Sequence, residues 1–528
     1  MATQVPTPSG TTTGATARLL RSSAVVSAMT LLSRILGLLR DMVIARVFGS
    51  GVAADAFFVA FRIPNLFRRM FAEGAFSMAF VPVLNEYKEQ RSTAELQALV
   101  NRVAGTLGAC LLLFTGLGML TAPWVVRAFA LGFAEVEGKL ELTTALLRIT
   151  FPYLLFVSLA AFAGGILNSF GRFAAAAFTP VLLNLCMIAA ALWLAPYFAE
   201  PITALAWGVF AAGLAQLLFL LPYLRTIGLL PKPRWGWHDS GVRRIMTLMV
   251  PVLFGSSASQ INLLINTQLA ATLVSGSVSW LYYTDRLLEF PVGLFGVALG
   301  TVILPKLSQE HARQSPQEFG ATLDWALRWA MLIALPASAA LIVLASPLLT
   351  TMFHYGAFSA TDVEMASRSV VALAPGVIGF LGIKILAPGF YSRQDSKTPA
   401  QIGVVTVLVN IIFSLSLIGS MAHAGLALAA ALAALINAGL LLTILWRRGV
   451  YRLSRQWLKF LPQLLLATTV MALAVDWLAG DLSRWLTAGG LQRVLWLAGL
   501  VVAGVLLYGL TLLLSGLRPR HLKLAASS

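Results

Sequence analysis

The chain alternates long apolar stretches with short polar connections. Fourteen stretches approach or exceed the roughly 20 residues that an α-helix needs to cross a ~30 Å hydrocarbon core. They must be helical, since backbone groups in lipid have to be satisfied within the segment, and runs such as Val209–Leu221 lack the alternation of a membrane barrel strand. The predicted spans are 24–48, 53–84, 103–128, 142–168, 174–198, 202–224, 243–272, 278–305, 322–352, 364–391, 399–421, 424–446, 459–477 and 491–516. The pattern predicts an all-α polytopic membrane protein with 14 transmembrane helices.

The composition excludes a water-soluble fold. Apolar residues make up 58% of the 528 and charged residues only 11%, with a mean hydropathy of +0.83, whereas soluble domains carry about 25% charged residues. The two cysteines, Cys110 and Cys186, lie in separate apolar runs, so we expect buried thiols and no disulfide. No metal-ligand spacing, phosphate-binding loop or nucleophile elbow occurs. We therefore expect no enzyme activity, no cofactor and no metal site.

The basic residues are distributed unequally over the connecting segments. With the N-terminus placed in the cytoplasm, the cytoplasmic segments hold 23 of the 38 basic residues and the opposite loops hold 3. This bias is typical of the positive-inside rule and predicts that both termini are cytoplasmic. It accounts for much of the net charge of +17 through topology and anionic lipid, without a nucleic-acid partner. Residues 1–21, which are rich in Thr, Pro and Gly, are predicted to form a disordered cytoplasmic tail.

A weak internal repeat divides the chain into halves. Pro82 and Pro305 lie in similar short motifs 223 residues apart, and Pro152 and Pro375 share that offset. Six helices per half means that both halves run in the same direction, a transporter plan in which the substrate site lies between the halves. The predicted organisation is a tail at 1–21, an N-lobe at 22–226, a C-lobe with its preceding linker at 227–448, and two additional helices at 449–528.

Charged residues within the predicted spans are the strongest functional signal. A charge at the bilayer centre costs at least about 2.5–3.5 kcal/mol, so it usually faces a cavity or a partner. The cations are Arg34, Arg40, Arg62, Arg68, Arg69, Arg286 and Lys384, and the acids are Asp41, Asp55, Glu73, Asp285 and Glu289. One interpretation is a set of interhelical ion pairs, such as Arg40 with Glu73 or Arg46 with Asp55. The other is an anion site, because even full pairing leaves positive charge over and the guanidinium group fits phosphate or carboxylate oxygens.

Four motifs resemble those of a known family. They are Ser33-Arg34-x-Leu36-Gly37-x-x-Arg40-Asp41, Asp55-x6-Arg62-x-Pro64-Asn65-x-x-Arg68-Arg69-x-x-x-Glu73-Gly74, Trp280-x-Tyr282-Tyr283-x-Asp285-Arg286-x-x-Glu289-x-Pro291, and Lys384-x-x-x-Pro388-Gly389-x-Tyr391-Ser392-Arg393-x-Asp395. Together they look like the MurJ (MviN) lipid II flippases of the multidrug/oligosaccharidyl-lipid/polysaccharide exporter superfamily. The resemblance covers nearly the whole chain after the tail.

The resemblance implies a function and a set of site residues. A MurJ-like protein would move undecaprenyl-pyrophosphate-linked disaccharide-pentapeptide from the cytoplasmic to the periplasmic leaflet of the bacterial inner membrane, by alternating access through a cationic central cavity. Its two extra helices would form a groove for the lipid tail. The substrate-binding candidates are Arg34, Arg40, Arg62, Asn65, Arg68, Arg286 and Lys384. The candidates for gating or ion pairs are Asp41, Asp55, Arg69, Glu73, Asp285 and Glu289.

The same resemblance implies partners and leaves two alternatives open. Lipid II and membrane lipids are the expected partners, with cell-wall synthesis enzymes as further candidates and a monomer as the functional unit. Some family members bind sodium in the C-terminal lobe, and Asp395 is the candidate participant there, although the motifs define no set of metal ligands. A multidrug or cation antiporter on the same scaffold would instead need a cavity dominated by acids and aromatics. A non-transporting scaffold for cell-wall enzymes would use the charged spans only for assembly.

Overall fold

The computed structural model describes the backbone of residues 12–518. Side chains are described there except at 12–23, 72–74, 252–259, 294–295, 297–299 and 301. Over this range the chain consists of helices and their connections, without a strand, which confirms the predicted all-α class.

Nineteen α-helices follow one another in the described range. In the first half they are α1 Thr12–Phe48, α2 Val52–Arg68, α3 Ser77–Gln90, α4 Thr93–Leu120, α5 Ala122–Phe129, α6 Lys139–Thr150, α7 Tyr153–Ser169, α8 Phe173–Ala189 and α9 Thr203–Thr226. The later helices are α10 Ser240–Ala271, α11 Ser277–Ala312, α12 Pro316–Val343, α13 Ala345–Phe353, α14 Ala360–Leu373, α15 Gly376–Tyr391, α16 Lys397–Arg447, α17 Trp457–Ala479, α18 Leu482–Thr487 and α19 Gly490–Leu514. Arg69–Phe76 and Ala190–Leu194 are π-helical, and Leu131–Glu135 and Ala195–Tyr197 are 3-10 turns.

The first helix begins earlier than the sequence predicts. Helix α1 starts at Thr12, so residues 12–21 of the predicted disordered tail are helical, while residues 1–11 lie outside the described range. The difference has a simple physical reason, because this stretch contains Ala, Leu and Arg, which favour helix.

Two interior breaks shape the helices that carry charges. Helix α2 contains Pro64, which removes a backbone donor, and the chain turns π-helical from Arg69. Single-turn π-segments inside helices are frequent at functional sites. In α16, Ala422 has φ 48 and ψ −129, which is not helical. This break lies between the predicted spans 399–421 and 424–446.

Eight helical segments of the described chain are long and apolar enough to cross a membrane, with α6 and α7 counted as one segment and α8 counted with the two short turns after it. A ninth crossing arises if α14 and α15, which meet at 44°, form one bent span. The eight are Thr93–Leu120, Lys139–Ser169, Phe173–Tyr197, Thr203–Thr226, Pro316–Val343, Lys397–Arg447, Trp457–Ala479 and Gly490–Leu514. The protein is therefore multi-pass, and the count of fourteen stays a prediction.

The chain folds into two compact units. Unit 1 contains the described residues up to Ile44, together with Ala60–Val126 and Glu141–Ser256. Its core joins α3, α4, α7, α9 and the start of α10, with the Phe76 and Phe80 rings stacked at 5.0 Å. Because lipid tails are as apolar as these rings, close packing rather than transfer from water stabilises this core.

Unit 2 contains Ala45–Val59, Arg127–Leu140 and the described residues from Ser257 onward. One of its cores joins α11, α12, α15 and α16. At Gly379 of α15, a Cβ atom would lie 2.5 Å from the backbone carbon of Ala434 in α16, so only glycine permits this approach of the two helices. Helices α17 and α19 pack on α12, and the Tyr508 hydroxyl donates to the Leu332 carbonyl at 2.9 Å.

Candidate functional site

In unit 1, Arg40 of α1 is held in a buried ion pair. Its Nε and Nη2 atoms donate to Oδ1 of Asp41 at 3.0 and 2.7 Å, and Nη1 donates to Oδ1 of Asn184 at 3.0 Å. The Asn184 amide in turn donates to the Ser33 carbonyl at 3.0 Å, which ties α8 to α1. Arg40 is 6% exposed and Asp41 is 1% exposed. This part of the site fits the ion-pair interpretation.

The other candidates of unit 1 are more accessible. Arg34 is exposed on α1, and no described carboxylate forms an ion pair with it. Arg62 and Arg68 on α2 are half-buried, and the Arg68 Nε donates to Oδ1 of Asn65 at 3.0 Å. Arg69 is exposed at the start of the π-helical segment. The side chain of Glu73 lies outside the described part of the chain.

In unit 2, Arg286 of α11 has partners that it can exchange. Nη1 donates to Oε2 of Glu289 at 2.7 Å, and Nη2 donates to the Tyr282 hydroxyl at 3.2 Å. The Arg286 side chain is 31% exposed and that of Glu289 is 61% exposed. Ion pairs so open to solvent contribute about 0–1 kcal/mol, so an anionic ligand can replace this carboxylate. The neighbouring Asp285 is also exposed.

Two aromatic rings fix the position of the Arg286 guanidinium. It lies 4.9 Å from the centroid of the Tyr282 ring, a cation–π distance. Tyr282 stacks on Phe58 with ring centroids 3.9 Å apart. Lys384, half-buried on α15, packs its aliphatic stem against Gly296 of α11, where a Cβ atom would come within 2.4 Å of the lysine Cδ. Both cations thus belong to the neighbourhood of α11.

Asp55 accepts four hydrogen bonds within unit 2. Its Oδ2 accepts from the Gly276 amide at 2.7 Å and from Lys139 Nζ at 2.9 Å. Its Oδ1 accepts from the Ser279 amide at 2.9 Å and from the Ser279 hydroxyl at 2.6 Å. Gly276 has φ 104 and offers no side chain to cap α11. Asp55 performs that capping role from a distant part of the sequence, where a negative charge also complements the helix dipole.

Lys139 was not among the predicted site residues. The predicted pairing of Asp55 with Arg46 is wrong, because Lys139 forms the ion pair with Asp55 at 2.9 Å. The side chains of Asp55 and Lys139 are 1% and 2% exposed. The ammonium also donates to the Ser275 hydroxyl at 3.2 Å and lies 4.1 Å from the Phe133 ring centroid. A single lysine in a short polar connection gives no sequence signal of such a partnership.

Asp395, Cys110 and Cys186 are side chains of types that can bind a metal ion. Among the described residues, no group of three or more His, Cys, Asp or Glu side chains could hold a metal ion. Asp395 accepts from the Thr398 amide at 3.0 Å and hydroxyl at 2.7 Å, and from Arg448 Nη1 at 2.6 Å. The Thr398 hydrogen bonds and then the Arg448 guanidinium lower the pKa of Asp395 to about 2. Cys110 and Cys186 are free thiols, each partly rather than fully buried.

Comparison with known proteins identifies the family. A family described as "Lipid II flippase MurJ" matches residues 44–497. The "Probable lipid II flippase MurJ" of Vibrio cholerae is 47% identical, over 96% of this chain and 98% of that protein. The corresponding protein of Haemophilus influenzae is 46% identical, over 94% and 99%. The "Lipid II flippase MurJ" of Burkholderia cenocepacia is 42% identical, over 93% and 96%.

Solved structures agree with the sequence relatives. The "Lipid II flippase MurJ, inward closed conformation" superposes with a TM-score of 0.77 at 25% identity, covering 92% of this chain and 98% of that one. A multidrug resistance MATE family transporter of the MOP superfamily superposes with a TM-score of 0.64 at 12% identity, covering 81% and 98%, which shows the fold alone.

The fold and the long apolar helices define a multi-pass helical membrane protein. Within that class, the chain belongs to the lipid II flippase MurJ family, which is a family of transporters and not of catalytic enzymes. The resemblance stated from the four motifs is thereby confirmed, as is a multi-pass location in the bacterial inner membrane.

Proposed function

We propose that this protein flips lipid II, undecaprenyl-pyrophosphate-linked disaccharide-pentapeptide, from the cytoplasmic to the periplasmic leaflet. The family membership and the names of relatives matched over nearly their full length support this substrate. The proposed fold has fourteen membrane helices in two parallel six-helix lobes, followed by α17 and α19, with both termini cytoplasmic. The proposed functional unit is a monomer without a cofactor.

One observation carries the mechanism: the buried acids Asp41 and Asp55 already have their own cations, while Arg34 and Arg286 remain accessible. Asp41 is engaged by Arg40, and Asp55 is engaged by Lys139. Arg34 is exposed, and the ion pair of Arg286 with Glu289 is open to solvent. An accessible guanidinium within a membrane helix is costly unless it meets water or an anion. A pyrophosphate offers the oxygens that an arginine binds with two parallel hydrogen bonds.

The proposed transport cycle is alternating access through a cationic central cavity. Arg34, Arg62, Arg68, Arg286 and Lys384 would receive the pyrophosphate and the sugar-peptide headgroup, while the lipid tail stays in the bilayer. Glu289 would release Arg286 when the phosphate arrives. A population shift between two states then re-exposes the site on the other side. Because the site is cationic, membrane potential biases the cycle, at about 2.3 kcal/mol per charge and 100 mV.

Asp55 is the proposed gate residue. Its four hydrogen bonds tie α2 to the start of α11, with Lys139 of α6 as counter-ion. Opening this contact would expose a helix N-terminus and a buried ion pair together, so we expect it to form and break as one unit. Bistable contacts of this kind are what conformational switches use.

The substrate is tested by a panel of lipids in vesicles that contain the purified protein. We expect translocation of lipid II, and little translocation of a neutral lipid-linked sugar of similar size. Export of a cationic dye with no lipid II translocation would instead indicate a multidrug or cation antiporter. Translocation of none of the three, by protein shown to be folded, would contradict the proposal and favour a scaffold role.

A further inference from the structure

A basic cavity in unit 1 lies apart from the charged residues discussed above. It has a volume of about 630 Å³ and is bounded by α4, by the end of α9 and by the connection that follows α9. Four cations line it, namely Arg102, Arg225, Lys232 and Arg234, and all four are exposed. No acidic side chain is among its lining residues in the described chain. The cavity is large enough for a small polar ligand.

The connection at 228–236, named the basic strap here, is fixed at its start by the end of α9. Gly228 has φ 73, its amide donates to the Arg225 carbonyl at 3.1 Å, and the Leu229 amide donates to the Leu224 carbonyl at 3.1 Å. These bonds form a Schellman turn, and the buried Leu229 supplies its usual hydrophobic contact.

The basic strap is then bound to the first half of α4. Asn101 accepts from the Lys232 amide through its side chain at 2.7 Å and from the Arg234 amide through its carbonyl at 2.9 Å. The Thr106 hydroxyl accepts from the Gly236 amide at 3.1 Å. The strap therefore has a defined backbone path, and it presents its cations at a fixed place.

Gly105 makes this close approach of the basic strap to α4 feasible. A Cβ atom at Gly105 would lie 2.2 Å from the carbonyl oxygen of Arg234, a distance that no side chain can accept. Any larger residue must displace the strap, but it does not remove any of the charged side chains that the strap carries. The chain thus offers a way to separate the geometry of the cavity from its charge.

The residues that line the cavity leave an excess of positive charge there. Arg102 forms an ion pair with Asp239, which neutralises one of the four cations. The other three, Arg225, Lys232 and Arg234, converge on a cavity that contains no carboxylate in the described structure. Phosphate oxygens are the complementary ligand, because both guanidinium and ammonium groups donate to them.

The surroundings of the cavity indicate the source of that phosphate. Trp235 and Trp237 stack with ring centroids 6.1 Å apart and are 63% and 41% exposed. Exposed tryptophans beside basic residues are typical of the membrane–water interface. The positive-inside bias predicts that this connection is cytoplasmic, where anionic lipids attract clustered Lys and Arg.

We propose that this cavity binds the phosphate headgroup of an anionic phospholipid of the cytoplasmic leaflet. The headgroup lies between α4 and the basic strap, with Arg225, Lys232 and Arg234 as its ligands. The two tryptophans set the depth of the strap at the interface. The proposal does not depend on which substrate the protein transports.

The experiment measures lipid binding to the purified full-length protein in neutral detergent by native mass spectrometry. The ligands are phosphatidylglycerol, zwitterionic phosphatidylcholine and inorganic phosphate. The test variant carries Arg225→Gln, Lys232→Gln and Arg234→Gln. The matched control carries Arg447→Gln, Arg452→Gln and Arg455→Gln, which remove the same charge from exposed positions of unit 2.

We expect the wild-type protein to bind phosphatidylglycerol far more tightly than phosphatidylcholine. Each lost cation should weaken phosphatidylglycerol binding about fivefold in the test variant, and the control should change it less than about twofold. Equal weakening in the two triple variants would overturn the proposal, since it would mean that only net charge matters. If millimolar inorganic phosphate displaced phosphatidylglycerol as effectively as added phosphatidylglycerol does, the site would belong to a soluble anion. That result would also overturn the proposal.

The variant Gly105→Ala tests whether the cavity is built rather than merely charged. Displacement of the basic strap should weaken phosphatidylglycerol binding several-fold although every cation remains. Wild-type binding by Gly105→Ala protein would contradict the geometry proposed here. The three glutamine substitutions lie at exposed positions and do not depend on this variant folding.

Discussion

At the residue scale, the structure separates cations that stabilise the fold from cations that are available to a ligand. Arg40 and Lys139 are buried against Asp41 and Asp55, whereas Arg34 is exposed. The sequence predicts that these charges are unusual, because any charge in an apolar span is costly. It does not predict which cation meets which acid, since Lys139 and Asp55 are 84 residues apart and meet only in the folded chain.

Asp395 gives a prediction on pH dependence at this scale. Its pKa of about 2 lies below the ordinary value of 3.8, so its contribution to stability is present above about pH 4 and is lost as the pH falls toward 2. We expect Asp395→Asn to cost about 1 kcal/mol near pH 6, a value reduced for the solvent accessibility of the carboxyl. The measurement is the thermal unfolding temperature of both proteins between pH 6 and pH 2.

The control for Asp395 is Asp481→Asn. Asp481 precedes α18 and makes no side-chain capping hydrogen bond, so its substitution should leave the unfolding temperature nearly unchanged. The difference in unfolding temperature between wild type and Asp395→Asn should shrink as the pH falls. A difference that grows instead would contradict the lowered pKa of Asp395.

At the element scale, the apolar pattern identifies most helices, and local chemistry decides their ends. The gap between predicted spans 399–421 and 424–446 coincides with the non-helical Ala422. The π-helical segment Arg69–Phe76 is not predictable, because its backbone differs from the α-helix by a small shift in hydrogen bonding that no residue pattern specifies. The cap of α11 by Asp55 is also invisible in sequence, since the helix carries glycine where a capping side chain would stand.

The capping contact gives a prediction for a double-mutant cycle. Asp55→Asn leaves Lys139 buried without its counter-ion, which should cost about 3–5 kcal/mol of stability. Adding Lys139→Met should restore a large part of that loss, because the uncompensated charge is then removed. The measurement is thermal unfolding of both single variants and the double variant in the same detergent.

An exposed pair provides the comparison for this cycle. Arg91 and Glu95 are an i,i+4 pair with side chains 58% and 50% exposed, and Arg91→Ala should leave the unfolding temperature nearly unchanged. Losses at Asp55 and Lys139 that simply add would show that the two side chains do not act as one unit.

At the scale of the whole molecule, the compact units do not coincide with the sequence halves. Unit 2 includes Ala45–Val59 and Arg127–Leu140, both from the first half of the chain. The 223-residue offset indicates a common origin of the two halves and the same direction of their helices. The compact units reflect how the helices pack in one conformation. The lobes at 22–226 and 227–448 therefore remain a prediction about the repeat, and the family membership rests on motifs that are visible in the sequence itself.

The central claim is that Arg34 and Arg286 bind the anionic headgroup of the substrate. The most direct test is lipid II translocation in vesicles by Arg34→Ala and Arg286→Ala proteins, with membrane abundance and unfolding temperature measured alongside. The matched control is Arg368→Ala, which removes an exposed arginine from an i,i+4 pair with Glu364. Glu289→Gln is included because Glu289 is the observed partner of Arg286.

We expect both arginine variants to fold normally and to lose translocation, while Arg368→Ala retains it. Arg286→Lys should also be impaired, since an ammonium keeps the charge but loses the two parallel hydrogen bonds. Glu289→Gln should retain most of the activity. Normal lipid II translocation by well-folded Arg34→Ala and Arg286→Ala proteins would contradict the account.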